Sequence, residues 1–240
     1  MKEFLLFQLY GPFASWGDIA VGENRHSFSH PSKSAIIGIL ASALGIKREE
    51  EETLLELNDS LSFSTQVFST GILLRDFHTV QTPPAPKKKV SYYSRKDELE
   101  NPEIGTIITN RDYRCDSYSI VCVWQKENKK FDLDNLKMSL LNPKYILYLG
   151  RKSCVVSLPL NPKLVKSETL LDAYSAYPQN AELLSSLEAS KNIQMYWEDL
   201  EEVNLQPDHI QTRRDSILRR KSWYFTERIE FYKMIQMGDK

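Results

Sequence analysis

Cysteine is scarce: Cys115, Cys122 and Cys154 are the only three in 240 residues. Their number is odd and no two stand at C-x-x-C spacing, which argues against a disulfide framework and against a zinc site. Reduced, half-buried thiols are the expectation. No apolar run reaches the roughly 18 residues a membrane helix needs. The N-terminal apolar stretch, Phe4 to Phe7, is broken at Gln8 and precedes no small-residue cleavage site, so it reads as an opening strand of a cytoplasmic protein. Net charge is also missing: 31 Lys and Arg against 32 Asp and Glu leave −1, unlike a protein that coats nucleic acid indiscriminately. The usual catalytic signatures are absent. There is no H-E-x-x-H, no G-x-S-x-G, and no G-x-x-x-x-G-K-[ST], of which Gly150-Arg151-Lys152-Ser153 echoes only the tail. Neither a metal nor an organic cofactor is expected.

Charge is present in blocks rather than in excess. Glu49 to Glu52 form one acidic run, and Glu198, Asp199, Glu201 and Glu202 another. Lys87, Lys88, Lys89, Arg95 and Lys96 form a basic stretch, and Arg213, Arg214, Arg219, Arg220 and Lys221 a second. Basic patches on a neutral body suit one defined polyanion site. Solvated faces are the plainer alternative for each patch alone.

Along the chain, Phe4 to Tyr10 reads as a buried strand ended by Gly11-Pro12. The poorly patterned segment 13–31 is of a length more often functional than ornamental. Ser32 is a candidate N-cap for a helix over Lys33 to Leu44, stopped by Gly45. Its small residues Ala35, Gly38, Ser42 and Gly45 fall along one side and suit close packing on a sheet. A short helix over Glu50 to Leu57 and strands within Leu61 to Asp76 follow. Residues 79–112, with Pro83, Pro84, Pro86 and Pro102, read as a projecting arm, because proline lacks the donor a central strand needs. A strand from Tyr113, a helix over Asp132 to Leu141 and a strand over Tyr145 to Leu149 complete the order strand, helix, strand, strand, helix, strand. That order is α+β and ferredoxin-like, as in RRM domains. The expected organisation is a core over 1–154, the arm inserted at 79–112, and a smaller mixed region over 155–240 packed on the core.

Four ordered stretches carry a family resemblance. They are Leu9-Tyr10-Gly11-Pro12 with Trp16-Gly17; Arg25 with Pro31-Ser32-Lys33-Ser34-Ala35 running to Ala43-Leu44-Gly45-Ile46; Asp76-Phe77-His78-Thr79-Val80-Gln81 with Arg111-Asp112-Tyr113; and Tyr148-Leu149-Gly150-Arg151-Lys152-Ser153-Cys154. Arg213-Arg214-Asp215 with Arg219-Arg220 is a weaker fifth. Together they resemble the CasD family of the Cascade complex in type I-E CRISPR systems, which serve antiviral defence. Ser32 replaces the family's commoner threonine, and Arg114 stands where leucine is usual.

The resemblance implies a ferredoxin-like core with a projecting thumb. It implies a non-catalytic, RNA-binding subunit that holds the 5′ handle of the guide RNA and contacts the backbone and large subunits. Target DNA is met only through the complex, and no membrane is involved. The RNA-binding candidates are Arg25, Lys33 and Ser34 at the first helix; His78, Gln81, Arg111 and Tyr113 at the arm roots; Lys87, Lys88 and Lys89 at its tip; and Gly150, Arg151, Lys152 and Ser153 in the loop. Two alternatives stand beside this reading. One is a metal-independent endoribonuclease using His, Tyr and Lys groups such as His78, Tyr113 and Lys152. The other is a protein-only assembly adaptor.

Overall fold

The computed structural model describes residues 1–17, 20, 22–83, 91–100, 103–126, 130–187, 192–199, 203, 205–222 and 224–236. In chain order the elements are β1 (Lys2–Ala14), β2 (Trp16–Gly17), β3 (Asn24–Arg25), β4 (Ser27–Phe28), α1 (Lys33–Leu44), α2 (Glu51–Ser60), β5 (Leu61–Ser69), β6 (Ile72–Thr82), α3 (Arg95–Leu99) and β7 (Gly105–Gln125). Then come α4 (Leu133–Leu141), β8 (Lys163–Ser167), α5 (Leu170–Ala176), α6 (Ala181–Ser186), β9 (Asn192–Trp197), β10 (His209–Arg219) and β11 (Tyr224–Gln236). Among the described residues the main sheet has nine strands, in the order β10-β11-β9-β5-β7-β1-β8, with β3 and β6 attached to β7. Every pairing is antiparallel except the short β3–β7 contact.

Both faces of the sheet are covered, and β1 shows why the sequence demands it. Leu5, Phe7 and Leu9 join the residues of α1, α2 and α4 in one buried cluster. The alternate residues Phe4 and Leu6 join Trp124, Trp197 and the α5 residues Leu170, Ala173 and Tyr174 in another. A strand buried on two sides reads as a continuous apolar run instead of an alternating one. No bare sheet face of the RRM kind is left over this part of the molecule.

Helix α1 forms as its sequence predicts. The Ser32 hydroxyl accepts from the Ala35 N–H at 3.2 Å, and Gly45 closes the helix at φ 80°. Other expectations are corrected. Strand β1 does not stop at Gly11-Pro12 but continues to Ala14, with Gly11 paired to Ser117 and Phe13 to Cys115. Pro12 falls at the skipped position opposite Asp116, whose φ is 59°, so its missing donor disturbs nothing. Tyr145 to Leu149 is not a strand; it makes only a Tyr148–Val155 bridge, and β8 takes the place beside β1. The region 155–240 does more than pack on a core, because β8 to β11 belong to the same sheet.

The arm is an extension of that sheet. Strand β7 is 21 residues long and runs out of the core into the arm, where β6 pairs with it from Ile72–Cys115 to Thr82–Gly105. Departure is set by backbone: Gly71 has φ 69°, and a Cβ there would fall 2.3 Å from the Cys115 carbonyl oxygen. The arm therefore begins at Ile72, earlier than residue 79. The tip lysines Lys87, Lys88 and Lys89 lie outside the described residues.

Candidate nucleic-acid interface

Asp112 organises the root of the arm. Its carboxylate accepts two hydrogen bonds from Arg75, at 2.8 and 3.1 Å, and lies 3.0 Å from His26 Nδ1. Its backbone carbonyl accepts from the Ser15 hydroxyl at 3.0 Å. The Arg75 hydrogen bonds, with help from His26, hold the carboxyl down at about 2 despite burial of the side chain. Strands β1, β6 and β7 and the 15–28 segment are thereby fixed to one another. Nothing in the sequence marks Asp112 as the keystone, since it stands in the arm-root motif beside candidates with more conspicuous chemistry.

The opposite face of the same strands carries cations. In register, Arg25 of β3 and Asp76 of β6 flank Arg111 of β7, so the three share a row on one face. Two residues along, Tyr113 is buried beneath Arg151, whose guanidinium carbon sits 4.9 Å from the ring centroid. Phe13 meets the same ring edge-on at 6.0 Å. Arg151 Nη2 donates to the Arg25 carbonyl at 3.2 Å, which ties the 150–153 loop to β3. Arg151 Nη1 is enclosed and has no acceptor among the described residues. The fold thus gathers Arg25, Arg111, Tyr113 and Arg151 from three separate motifs. Lys152 and Ser153 are exposed beside them. His78 stands further out on the same face, its Nε2 2.5 Å from Asp76 Oδ2, and the Gln81 carbonyl accepts from Arg95.

Two candidates are engaged with the protein itself. Lys33 is buried and donates to both oxygens of the equally buried Glu198, at 2.9 and 3.0 Å. Burial lowers its pKa, partly offset by Glu198. Gly150, at φ 87°, has its open side against protein, since a Cβ would fall 1.9 Å from the Ser15 carbonyl oxygen. Its role is close contact between the loop and β1. Ser34 is half-buried with its hydroxyl 3.1 Å from that of Ser32.

The second basic cluster is divided. Arg213 is buried against the Phe28 ring at 3.9 Å and against Glu230. Arg228 holds Asp215 at 2.6 and 3.0 Å and also binds Glu230. Asp215 in turn accepts from the Lys33 backbone N–H at 2.8 Å, at the start of α1. His30 lies in this network, stacked on Tyr196 at 3.6 Å and 3.0 Å from Glu230. Burial, reinforced by Arg213, lowers its pKa to about 4. His26 and His30 stand four apart, a metal-binding spacing on a helix, but here the chain is not helical and the rings go to different partners.

Beside Arg151 a cleft of about 970 Å³ opens over α1. The small residues Ala35, Gly38 and Ser42 line it, so the stripe does not pack on the sheet as expected; a Cβ at Gly38 would meet nothing within 4 Å. Among the described residues no group of His, Cys, Asp and Glu could hold a metal ion, and no helix is long and apolar enough to cross a membrane.

Comparison with known proteins agrees with the sequence resemblance. Residues 4–231 match the family described as CRISPR-associated protein (Cas_Cas5). The Cascade subunit CasD of Escherichia coli (strain K12) is 31% identical over 170 residues, 67% of this chain and 70% of the relative. A chain of a CRISPR RNA-guided surveillance complex superposes with a TM-score of 0.68 at 24% identity, covering 97% of this chain and 90% of that one. A second solved structure, of a Cas protein, gives 0.60 at 24% identity, covering 98% and 95%. Those two likenesses extend the agreement to the mixed α/β fold built on one large antiparallel sheet. With the family match spanning nearly the whole sequence and a curated relative of this similarity, the chain belongs to the CRISPR-associated Cas5 family, as does the fold it adopts.

Proposed function

We propose that this protein is a type I-E Cascade subunit that binds the 5′ handle of the guide RNA at the arm root and does no chemistry on it. The observation that carries the reading is the convergence of Arg25, Arg111 and Arg151 around Tyr113, from motifs more than 125 residues apart in the case of Arg25 and Arg151. Cations held on a rigid strand face, beside aromatic rings, suit the phosphates and unstacked bases of a single-stranded RNA end. We read β5-β7-β1-β8, with α1 and α4 in the two crossovers, as the ferredoxin-like core. Its second face is covered by α5 and the β9–β11 side, so RNA meets loops and arm, not the sheet. The name of the Escherichia coli relative supports partnership with other Cascade subunits, and the arm's exposed apolar residues offer them a surface.

The test is competition binding. Handle-bearing RNA should outcompete a handle-scrambled RNA, and Arg111→Ala and Arg151→Ala should each weaken the selective binding. Equal affinity for both RNAs would sink the reading. A second reading, cleavage of precursor repeat RNA, draws on the His78–Asp76 contact at 2.5 Å, an acid–base pair on the cationic face. It requires cleavage in EDTA that stops with a 2′-deoxy group at the cut.

A further inference from the structure

Strand β6 is paired with β7 on one side and, among the described residues, with no strand on the other. The backbone shows which groups face that open edge. The Asn110 N–H donates to the Glu23 carbonyl at 3.0 Å, on the side of β7 away from β6. Its cross-strand partner Phe77 therefore sits in a non-hydrogen-bonded pair, and the N–H and C=O of Phe77 point outward. By alternation, those of Leu73, Arg75, Thr79 and Gln81 do the same. The Gln81 carbonyl accepts from the Arg95 side chain, as an outward carbonyl can. Natural sheet edges are blunted by lysine, proline or bulges. Strand β8, at one end of the sheet, follows that rule, with Lys163 and Lys166 among its five residues. Strand β6 does not. Its eleven residues include no lysine and no proline, and its register with β7 is unbroken. Ile72, Phe77 and Val80 keep 77%, 61% and 44% of their surface exposed. An edge of this length and apolarity is a template for another strand.

The strand is complementary to itself. Set antiparallel to a second copy about a two-fold axis at Phe77, it places Arg75 opposite Thr79 and Leu73 opposite Gln81. Outward backbone groups then meet outward backbone groups. On the other face the same register sets Asp76 opposite His78 and Leu74 opposite Val80, each pair occurring twice. An axis one residue back, at Asp76, would bring two carboxylates together. An axis one residue forward, at His78, would leave Asp76 opposite Val80. We infer that the outer edge of β6 is a homodimer interface, at which two copies of this chain join their arms antiparallel about Phe77. Assembly closes at two, because β6 then has a partner on both sides.

The inference does not depend on the RNA-binding reading and is tested without RNA. Purified full-length wild type should show a concentration-dependent monomer–dimer equilibrium in sedimentation velocity. Phe77→Pro removes an outward donor but no bond to β7, and should raise the dissociation constant by roughly tenfold or more. His78→Asp sets carboxylate against carboxylate and should also weaken the dimer, whereas the exchange Asp76→His with His78→Asp should restore it. Under oxidation, Phe77→Cys should give a disulfide-linked dimer, since opposed residues of a hydrogen-bonded pair have Cα atoms about 5.5 Å apart, within disulfide reach. Leu74→Cys faces Val80 of the second copy, six positions from its own counterpart, and should not crosslink. A wild type that stays monomeric throughout the concentration series, assembly beyond two, a dimer indifferent to Phe77→Pro, or equal crosslinking at both positions would overturn the proposal. The two cysteine variants decide the matter if Phe77→Pro folds poorly.

Discussion

Strand β7 belongs to two different environments, and the contrast between them separates what holds this protein together from what it offers a partner. From Tyr118 to Trp124 it is buried on both faces between β5 and β1. From Gly105 to Cys115 it pairs mainly with β6, and the hairpin leaves Phe77 61% and Ile107 45% exposed. An isolated two-stranded ribbon is marginal in water. This one is anchored at its root, where Asp112 binds Arg75 and His26, and its apolar residues stay exposed along its length. Stability is therefore concentrated in the sheet, and the proposed recognition surface lies at the arm and the loop that meets it.

The sharpest way to break that contrast is to delete matched aromatic side chains on either side of it. Phe7→Ala, in the core, should cost about 3–5 kcal/mol, whereas Phe77→Ala, on the arm, should stay within about 1 kcal/mol. Urea unfolding of both variants checks this, and equal losses would mean that the arm is part of the cooperative core.

A second effect concerns the buried network under α1. His30 has its pKa lowered from 6.5 to about 4, so it is neutral in the folded protein at neutral pH. A depressed folded pKa means that the unfolded chain binds the proton more readily in this window. The contribution is thus fully present above pH 6.5 and is lost as pH falls towards 4, amounting to roughly 2–3 kcal/mol. Unfolding at pH 7.5 and pH 5 should show this loss in wild type and a flatter profile in His30→Gln. At Asp112 it is the charged form that is favoured: Arg75 holds its carboxyl down at about 2, so its contribution is lost only in strong acid.

Smaller still, Arg111→Ala should weaken handle binding by about tenfold, or roughly 1.4 kcal/mol, and reduce the salt slope by about one. Its stability should remain within about 0.5 kcal/mol of wild type, as salt titrations of affinity and thermal unfolding would reveal. Smallest, Gly38→Ala should raise stability by about 0.5–1 kcal/mol, because glycine is a poor helix residue and nothing occupies the space of its Cβ.

What the sequence made legible follows the same division. Helix α1 could be read to the residue because Ser32 and Gly45 act locally, through a side-chain hydrogen bond and a left-handed φ. The buried strands were legible as apolar runs. Tyr145 to Leu149 misled because its apolar residues also serve a loop: Leu147 and Leu149 are buried beneath α1 and α4 without a ladder partner. Lys33 misled for a different reason. Its place at a helix start suggested an anion, but Glu198, 165 residues away in sequence, supplies one. The small-residue stripe of α1 was visible, yet only the fold shows that it floors a cleft. The Arg25–Arg111–Arg151 cluster was assembled from candidates the motifs had named, while Asp112, which ties β6 and the 15–28 segment to β7 on the other face, gave no local signal.

The most direct test of the account incubates the purified protein in EDTA with repeat RNA, handle-bearing guide RNA and a handle-scrambled control, and scores binding and cleavage on the same samples. Handle-selective binding with every RNA left intact is the predicted result. Specific cleavage of the repeat, or equal binding to the scrambled control, would contradict it.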